Sequence, residues 1–250
     1  MNNIKICEAV DAYYPNVDGV VRCVQNYCRL LNKKTTCKLA VPKPKKKNKY
    51  IDNEEFEVIR CASIDAPEKQ RMGIPTMDAK FIEKLKNEKF DIFHAHSPFL
   101  MGRMCISLGK KQKIPVVATL HTQYHQDFER ITKNSKVLVD IAIKYIAWVY
   151  NRADAVWTVS QRSSDYLRQY GYKGEITVIR NGTDFVYPEN ADSLIEKINE
   201  RHGLTNQKNV YCFVGRMVWY KNIKIILDAL KIAKEKKHDF KMLFVGGIRK

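Results

Sequence analysis

Short apolar segments alternate along this chain with amphipathic segments, and this alternation constrains the fold more than any other feature of the sequence. The first pair sets the pattern: Ile4–Val10 is strand-like, and Gly19–Lys33 has apolar residues at helical spacing. A repeated strand–helix order implies a mainly parallel sheet with helices on both faces. The sequence therefore predicts an α/β fold, and the other strands expected in its first part are Thr36–Val41, Phe56–Cys61, Ile92–Ala95, Val116–Leu120, Ala155–Val159 and Thr177–Ile179.

A polar interruption late in the chain indicates two domains. We interpret Pro188–Asn209 as the connection between them, so that residues 1–187 form the first domain and residues 210–250 begin the second. The second segment holds one strand–helix–strand unit, predicted at Val210–Val214, Ile223–Lys236 and Met242–Val245. Because one such unit buries little apolar surface, we expect the second domain to be incomplete.

The net charge of +17 restricts the choice of partners. The densest basic run is Lys43–Lys49, which is typical of a solvated loop but also suits an anionic membrane surface. Nucleic acid is not expected, because the sequence has no zinc-finger spacing and no recognisable reader motif. The seven cysteines are odd in number and contain no C-x-x-C pair, which indicates a reduced, cytoplasmic protein.

Glycine and histidine residues follow several of the predicted strands. Gly19 opens a helix, where the missing side chain lets a phosphate or sugar approach the backbone amides. The alternative is that this glycine only satisfies turn geometry. His94 and His96 point to the same side of one strand, and His121 follows the next strand along the chain. Histidines in such positions bind sugars, transfer protons or ligate metals.

A metal-dependent hydrolase using His94 and His96 is therefore an alternative hypothesis. Such a centre recruits several carboxylates at strand ends. The carboxylates near these turns are Asp91, Asp127 and Glu129, and Asp91 precedes its strand. The ligand set is too small, so we expect no metal.

The second segment carries a candidate phosphate site. Gly215-Arg216 follows the strand Val210–Val214, and Lys221 comes just before the next predicted helix. A helix N-terminus favours anions because its first amide groups have no partner. An arginine and a lysine beside it make a site suited to a diphosphate.

Taken in order, these turns resemble the family-4 glycosyltransferases of the GT-B fold. The resemblance runs over essentially the whole chain, and the order and spacing of its motifs are specific. Its carriers are Tyr14-Pro15 with Asp18-Gly19-Val20, the run from Asp91 to Phe99, the run from Ile114 to Thr122, Ala153-Asp154 with Val159-Ser160, the run from Val178 to Gly182, and the run from Phe213 to Arg216 with Lys221.

The resemblance implies retaining transfer of a hexose from a UDP- or GDP-hexose to an acceptor hydroxyl, without a metal ion. His121 would lie over the transferred sugar and would act in catalysis with Arg216 and Lys221. The donor would also be bound by Gly19 and Gly246, with Gly19 close to the diphosphate. The residues implied for acceptor binding are Tyr14, Asp18, His96, Ser97 and Tyr124.

Within the family, the runs His96–Phe99 and His121–Tyr124 look most like diacylglycerol glucosyltransferases. That implies a lipid acceptor and a peripheral position on the anionic inner face of the cell membrane, with a glycan acceptor as the alternative. The chain departs from the family at Asn222, where glycine is common, and the family's glutamate-bearing donor motif would lie beyond Lys250. We therefore expect a C-terminally truncated enzyme with little activity alone; a non-catalytic membrane-surface protein is the remaining alternative.

Overall fold

The computed structural model of the chain describes residues 4–45, 50–66, 70–183, 185–215, 217–218 and 221–247. It divides into two compact units, residues 1–184 and residues 185–250. The limits predicted from the sequence, 1–187, 188–209 and 210–250, are close to this division and stay predictions. Lys46 to Lys49, the end of the predicted basic run, lie outside the described residues.

A parallel sheet forms the centre of the first unit. The strands of this unit are β1 (Lys5–Ala9), β2 (Thr36–Pro42), β3 (Glu57–Cys61), β4 (Ser63–Ala66), β5 (Gln70–Gly73), β6 (Ile92–Ala95), β7 (Val116–Leu120), β8 (Ala155–Thr158) and β9 (Thr177–Val178). Seven of them form one sheet in the order β3-β2-β1-β6-β7-β8-β9, and all of its neighbouring strands are parallel. The predicted parallel α/β fold is confirmed.

Six α-helices of the described residues connect these strands. They are α1 (Gly19–Leu31), α2 (Ala79–Asn87), α3 (Leu100–Gln112), α4 (His125–Ile131), α5 (Lys136–Tyr150) and α6 (Gln161–Gln169). Acidic or hydroxyl side chains form the N-caps of three of them. A side-chain oxygen at this position accepts a hydrogen bond from a backbone amide that has no intrahelical partner. Asp18 accepts from Val21 N at 2.9 Å, Asp78 from Phe81 N, and Ser160 from Ser163 N.

Alternate residues of the central strands face two different layers. Cys7 and Ala9 of β1 and Phe93 of β6 belong to the apolar core that includes α2 and α3. A second apolar core lies beneath α1 and includes Val21, Val24 and Leu39. A third, around α5 and α6, includes Ile146 and Leu167. The intervening residues of β1 and β6 face the opposite layer, toward α1. They include the polar residues described below.

The hairpin of β4 and β5 is not among the predicted elements. Its strands are antiparallel and only four residues long; Ser63–Ala66 alternates polar and apolar residues over this short length, but Gln70–Gly73 does not. Side-chain hydrogen bonds hold the pair: Arg71 donates to the carbonyl oxygen of Ser63 and to Asp65. Contacts of this kind between residues eight and six positions apart leave no periodic signal.

The second unit contains α7 (Ala191–His202), β10 (Val210–Val214), α8 (Ile223–Glu235) and β11 (Lys241–Val245), with β10 and β11 paired in parallel. The predicted connection is helical over α7. Within the described ranges, no helix of either unit combines the length and apolar character needed to cross a membrane.

Two helical glycines of the first unit differ in their surroundings, and we expect alanine to affect them differently. At Gly102 in α3 an added Cβ would lie 2.2 Å from the carbonyl oxygen of Ser97, whereas at Gly19 no atom lies within 4 Å of it. Gly102→Ala should lower the free energy of unfolding by about 1–3 kcal/mol through overpacking. Gly19→Ala should leave it unchanged or raise it by about 0.4–1 kcal/mol. Urea unfolding followed by circular dichroism measures both, and the opposite ranking would contradict the packing described here.

Candidate functional site

The candidate site lies at the carboxyl ends of three adjacent strands. β1, β6 and β7 are neighbours in the middle of the sheet. The residues predicted to bind ligands follow them: Gly19 comes after β1, His96 and Ser97 after β6, and His121 after β7. Ligands of open parallel sheets bind outside this edge, so the topology brings these residues to the expected place.

A chain of hydrogen bonds links three of the side chains. Oε2 of Glu8 lies 2.5 Å from Nε2 of His96, and Nδ1 of His96 lies 2.9 Å from Nε2 of His121. Glu8 and His96 are buried, with 0% and 1% of their surfaces exposed. The structure therefore joins His96 and His121, which were predicted separately, by a direct hydrogen bond, and it adds a carboxylate that was not predicted, Glu8.

His94 shares the same carboxylate. Its Nδ1 lies 3.0 Å from Oε2 of Glu8, and its Nε2 lies 2.7 Å from Oγ1 of Thr119 in β7. Tyr27 of α1 packs edge-on against the rings of both His94 and His96. The polar cluster is thus enclosed between the sheet and α1, the helix that begins at Gly19.

The charges of this cluster follow from its burial. Burial alone would raise the pKa of Glu8, but the two imidazoles that face it outweigh this and lower the pKa to about 2. Burial lowers the pKa of His96 to about 4. Burial is also the main reason that the pKa of His121 is lowered to about 2, and the neighbouring histidines lower it further. At neutral pH, Glu8 is an anion and both His96 and His121 are neutral.

The geometry of Glu8, His94 and His96 fits hydrogen bonds better than a metal centre. Among the residues that the structure describes, these three form the group whose potential ligand atoms lie close enough together to hold an ion. However, a zinc ion with bonds of about 2.1 Å in tetrahedral geometry keeps its ligand atoms about 3.4 Å apart. Here both imidazole nitrogens lie within 3.0 Å of one carboxylate oxygen. The distances are those of hydrogen bonds, and the expectation of no metal stays a prediction.

Glu8 was not predicted as a site residue because it lies inside a strand and not at a turn. β1 reads Lys-Ile-Cys-Glu-Ala, and its register places Glu8 directly beside His94 of β6. A lone acidic residue in the apolar strand at the centre of a parallel sheet is costly to bury without partners. That cost was the available signal, and it points to the buried histidines on the neighbouring strand.

Gly19 lies in the first turn of α1 and is not required by the backbone. Its φ is not positive, and an added Cβ would have no neighbour within 4 Å. The alternative that this glycine only satisfies turn geometry is therefore wrong. Asp18 caps the helix by accepting from Val21 N, which leaves the amides of the first two helical residues without an intrahelical partner.

The residues predicted for acceptor binding have different surroundings. Ser97 is buried, and its hydroxyl donates to the carboxylate of Asp11. Burial raises the pKa of Asp11 to about 6. Tyr14 lines a small open cavity of about 40 Å³, and its hydroxyl donates to Gln25. Tyr124 is buried, with its ring against Phe99. The other lining residues of the cavity include three cations, Lys43, Lys45 and Arg71.

The second unit holds the other predicted donor-binding residues. Arg216 lies outside the described residues, and its predicted role stays a prediction. Lys221 is exposed just before α8, and its backbone amide donates to Val218. Gly246 has a φ of +150°, and an added Cβ would lie 1.8 Å from the carbonyl oxygen of Gly215. Gly246 is therefore required by the packing of the two glycine turns that follow β10 and β11, whatever its role in binding.

Two family models match the chain in succession. Residues 17–186 match the family described as Glycosyltransferase Family 4, and residues 194–250 match the one described as Glycosyl transferases group 1. The boundary between the two matches falls near the boundary between the two units.

Two curated relatives share a name. The alpha-monoglucosyldiacylglycerol synthase of Streptococcus pneumoniae is 25% identical over 241 residues, which are 94% of this chain and 54% of that protein. The enzyme of the same name from Acholeplasma laidlawii is 24% identical over 229 residues, 88% of this chain and 57% of that protein. The chain thus spans about half the length of the curated relatives it matches.

A solved structure shares the fold. The crystal structure of Anabaena HepE in complex with UDP and glucose superposes with a TM-score of 0.68 at 17% identity, over 97% of this chain and 61% of that one. At this identity the likeness describes the fold alone.

The buried histidines should make the first unit less stable in acid. A histidine whose pKa is lowered on folding binds protons more readily in the unfolded chain, so stability falls as pH drops below about 6.5. For His96, with a pKa near 4, the loss between pH 7 and pH 4 amounts to roughly 3 kcal/mol at 1.36 kcal/mol per unit. His121 acts in the same direction, whereas Asp11, whose pKa is raised, acts in the opposite one.

Urea unfolding between pH 7 and pH 4 isolates this contribution when wild type and His96→Gln are compared. The variant should show a shallower dependence of the unfolding free energy on pH. His125→Gln, which alters an exposed histidine, should follow the wild type. Equal slopes for all three proteins would mean that His96 is not held neutral.

Proposed function

Because this chain belongs to Glycosyltransferase Family 4, we propose that it transfers a hexose from a nucleotide-sugar to an acceptor hydroxyl with retention of anomeric configuration. The observation that carries the proposal is the succession of the two family matches along one chain with a GT-B fold. In this reaction the bond between the anomeric carbon and the diphosphate breaks. A bond to the acceptor oxygen forms, and the acceptor releases its proton.

The donor is a UDP- or GDP-hexose. Support for UDP comes from the structural relative HepE, whose crystals contain UDP and glucose. The amides at Gly19, in the open first turn of α1, are suited to the diphosphate or the sugar. Arg216 and Lys221 are the cations that neutralise the diphosphate as it leaves, since fixed charges aimed at developing charge are commonly the largest catalytic contribution. Gly246 completes the donor-binding set, and no metal is required.

The acceptor is a membrane lipid, with diacylglycerol as the first candidate. Both relatives named above are alpha-monoglucosyldiacylglycerol synthases, and this shared name supports the choice. Tyr14, Asp18, His96, Ser97 and Tyr124 are the proposed acceptor-side residues. Tyr14 lines the small open cavity and Asp18 is exposed, so both can be reached from solvent. His96 and Ser97 are buried and hydrogen-bonded, so they act by holding other groups in place.

A lipid acceptor requires contact with a membrane surface, and α5 offers one. Three apolar side chains near its start are exposed, Val137 by 69%, Leu138 by 51% and Ile141 by 59%. Lys136 and Lys144 flank them on the same helix. Apolar side chains next to lysines are the composition that binds the interface of anionic bilayers. The proposed location is the cytoplasmic face of the cell membrane, and the exposed apolar and basic side chains of α5 support contact with a membrane surface.

Donor binding tests the proposal directly. Saturation-transfer NMR on the purified chain, with UDP-glucose, UDP-galactose and GDP-mannose, should detect binding of one of the three. Gly19→Ala should weaken that binding roughly tenfold, because its methyl group keeps the diphosphate away from amides that contribute about 1 kcal/mol each. Lys221→Ala should weaken it by about tenfold or more through loss of a charge-assisted bond.

The matched control is Lys224→Ala, which removes an exposed lysine that already pairs with Asp228. It should bind like the wild type. A transfer assay with the bound donor and diacylglycerol in vesicles then identifies the acceptor and, from the anomeric coupling constant of the product, the stereochemistry. If none of the three nucleotide-sugars binds the wild-type chain, the proposed function is wrong.

Membrane binding gives a separate test. Sedimentation with vesicles that contain an anionic lipid should capture the chain at low salt and release it as the salt concentration rises. The double variant Leu138→Ser, Ile141→Ser should bind roughly tenfold more weakly, because two exposed apolar side chains no longer enter the interface. Met77→Ser, which alters an apolar side chain that is 79% exposed elsewhere on the unit, should have no effect. Retention of wild-type binding by the double variant would remove α5 as the membrane surface.

A further inference from the structure

His121 stands at the end of a hydrogen-bond chain whose proton positions are determined. The chain runs from Oε2 of Glu8 to His96 and from His96 to Nε2 of His121, over distances of 2.5 and 2.9 Å. An ionised carboxylate can only accept, so Nε2 of His96 must carry a proton. Because His96 is neutral, its Nδ1 has none and must accept in turn. The donor to it is therefore Nε2–H of His121.

This order of protons leaves Nδ1 of His121 as a bare acceptor. That nitrogen is buried and has no hydrogen-bond partner among the described residues of the chain. A buried polar atom without a partner costs about 1–3 kcal/mol, and native structures pair nearly all such atoms. A hydroxyl or amide hydrogen brought by a ligand would satisfy it.

The anion at the far end strengthens this acceptor. Hydrogen bonds in series polarise one another in a low-dielectric interior, so negative charge on Glu8 makes each imidazole a better acceptor. His94 holds the carboxylate from the other side: its Nδ1 donates to Oε2, and its Nε2 lies 2.7 Å from the hydroxyl oxygen of Thr119. The whole arrangement fixes the position and the proton of one ring, that of His121.

We propose that Glu8 and His96 are positioning residues that hold His121 as the neutral Nε2–H tautomer, so that its Nδ1 accepts a hydrogen bond from a hydroxyl of the transferred hexose. This inference rests on the proposed function for the identity of the ligand. It assigns His121 the role of an acceptor and excludes that of an acid, because the nitrogen that meets the sugar has no proton. The hydrogen-bond chain from Glu8 through His96 to His121 therefore selects for a sugar with an intact hydroxyl opposite Nδ1 of His121.

Nitrogen NMR reports the tautomer without any ligand. Long-range ¹H–¹⁵N spectra of the chain with ¹⁵N-labelled histidine separate protonated from bare ring nitrogens, and His121→Gln identifies the signals of His121 among the six histidines. The wild type should show a bare Nδ1 and a protonated Nε2. In Glu8→Gln the neutral amide no longer fixes the proton on His96, so the His121 signals should shift toward a mixture of tautomers.

Binding reports the consequence for the sugar. The measured quantity is the affinity for UDP-glucose relative to UDP, or for GDP-mannose relative to GDP if the wild type prefers guanine. Glu8→Gln and His96→Phe should lower this ratio by about tenfold and leave the affinity for UDP or GDP alone unchanged. A role restricted to folding would instead change both affinities together.

His94→Gln is the matched control, because it removes a bond to the same carboxylate but leaves the link between His96 and His121 intact. It should keep most of the sugar preference. A protonated Nδ1 on His121 in the wild type would overturn the proposed tautomer and the roles of Glu8 and His96, whatever the binding data show. An unchanged ratio in a folded Glu8→Gln protein would also overturn it, whereas failure of the wild type to bind any nucleotide-sugar would overturn the proposed function on its own.

Discussion

One buried carboxylate determines how the centre of this molecule is arranged. Glu8 lies on β1, an inner strand of the parallel sheet, and is completely enclosed. An unpaired charge in such a place would cost several kcal/mol or more, so its neighbours must supply hydrogen-bond donors. His94 and His96 do so from the adjacent strand, on the face covered by α1. The polar cluster at the carboxyl edge of the sheet is the result of that single requirement.

The fold was largely predictable because its signals are periodic. Apolar runs and helical spacing located the strands and helices, and β6, β7 and β10 begin and end where they were expected. The hairpin of β4 and β5 was missed because two arginine-mediated contacts hold it, and such contacts have no period. Periodicity reports which surface an element buries; it does not report which polar groups meet once the elements are packed.

The candidate site was predictable only in part for the same reason. The spacing of His94 and His96 placed both on one face, and the strand order brought His121 to their edge of the sheet. Glu8 was overlooked because carboxylates were sought at turns, where ligands bind, and this one lies where only the protein can reach it. Its partners depend on the register of β1 against β6, which pairs Glu8 with His94 and is fixed only in the folded chain.

The glycines separate what the fold requires from what a ligand requires. Gly102 and Gly246 lie so close to a carbonyl oxygen that any side chain would clash, so packing alone explains them. Gly19 has an ordinary helical backbone and open space around it, and packing gives no reason to exclude a side chain there. Alanine at this position would even favour the helix, since glycine loses more backbone freedom on folding. A glycine that costs stability and is not required by packing is best explained by a molecule that approaches the first turn of α1.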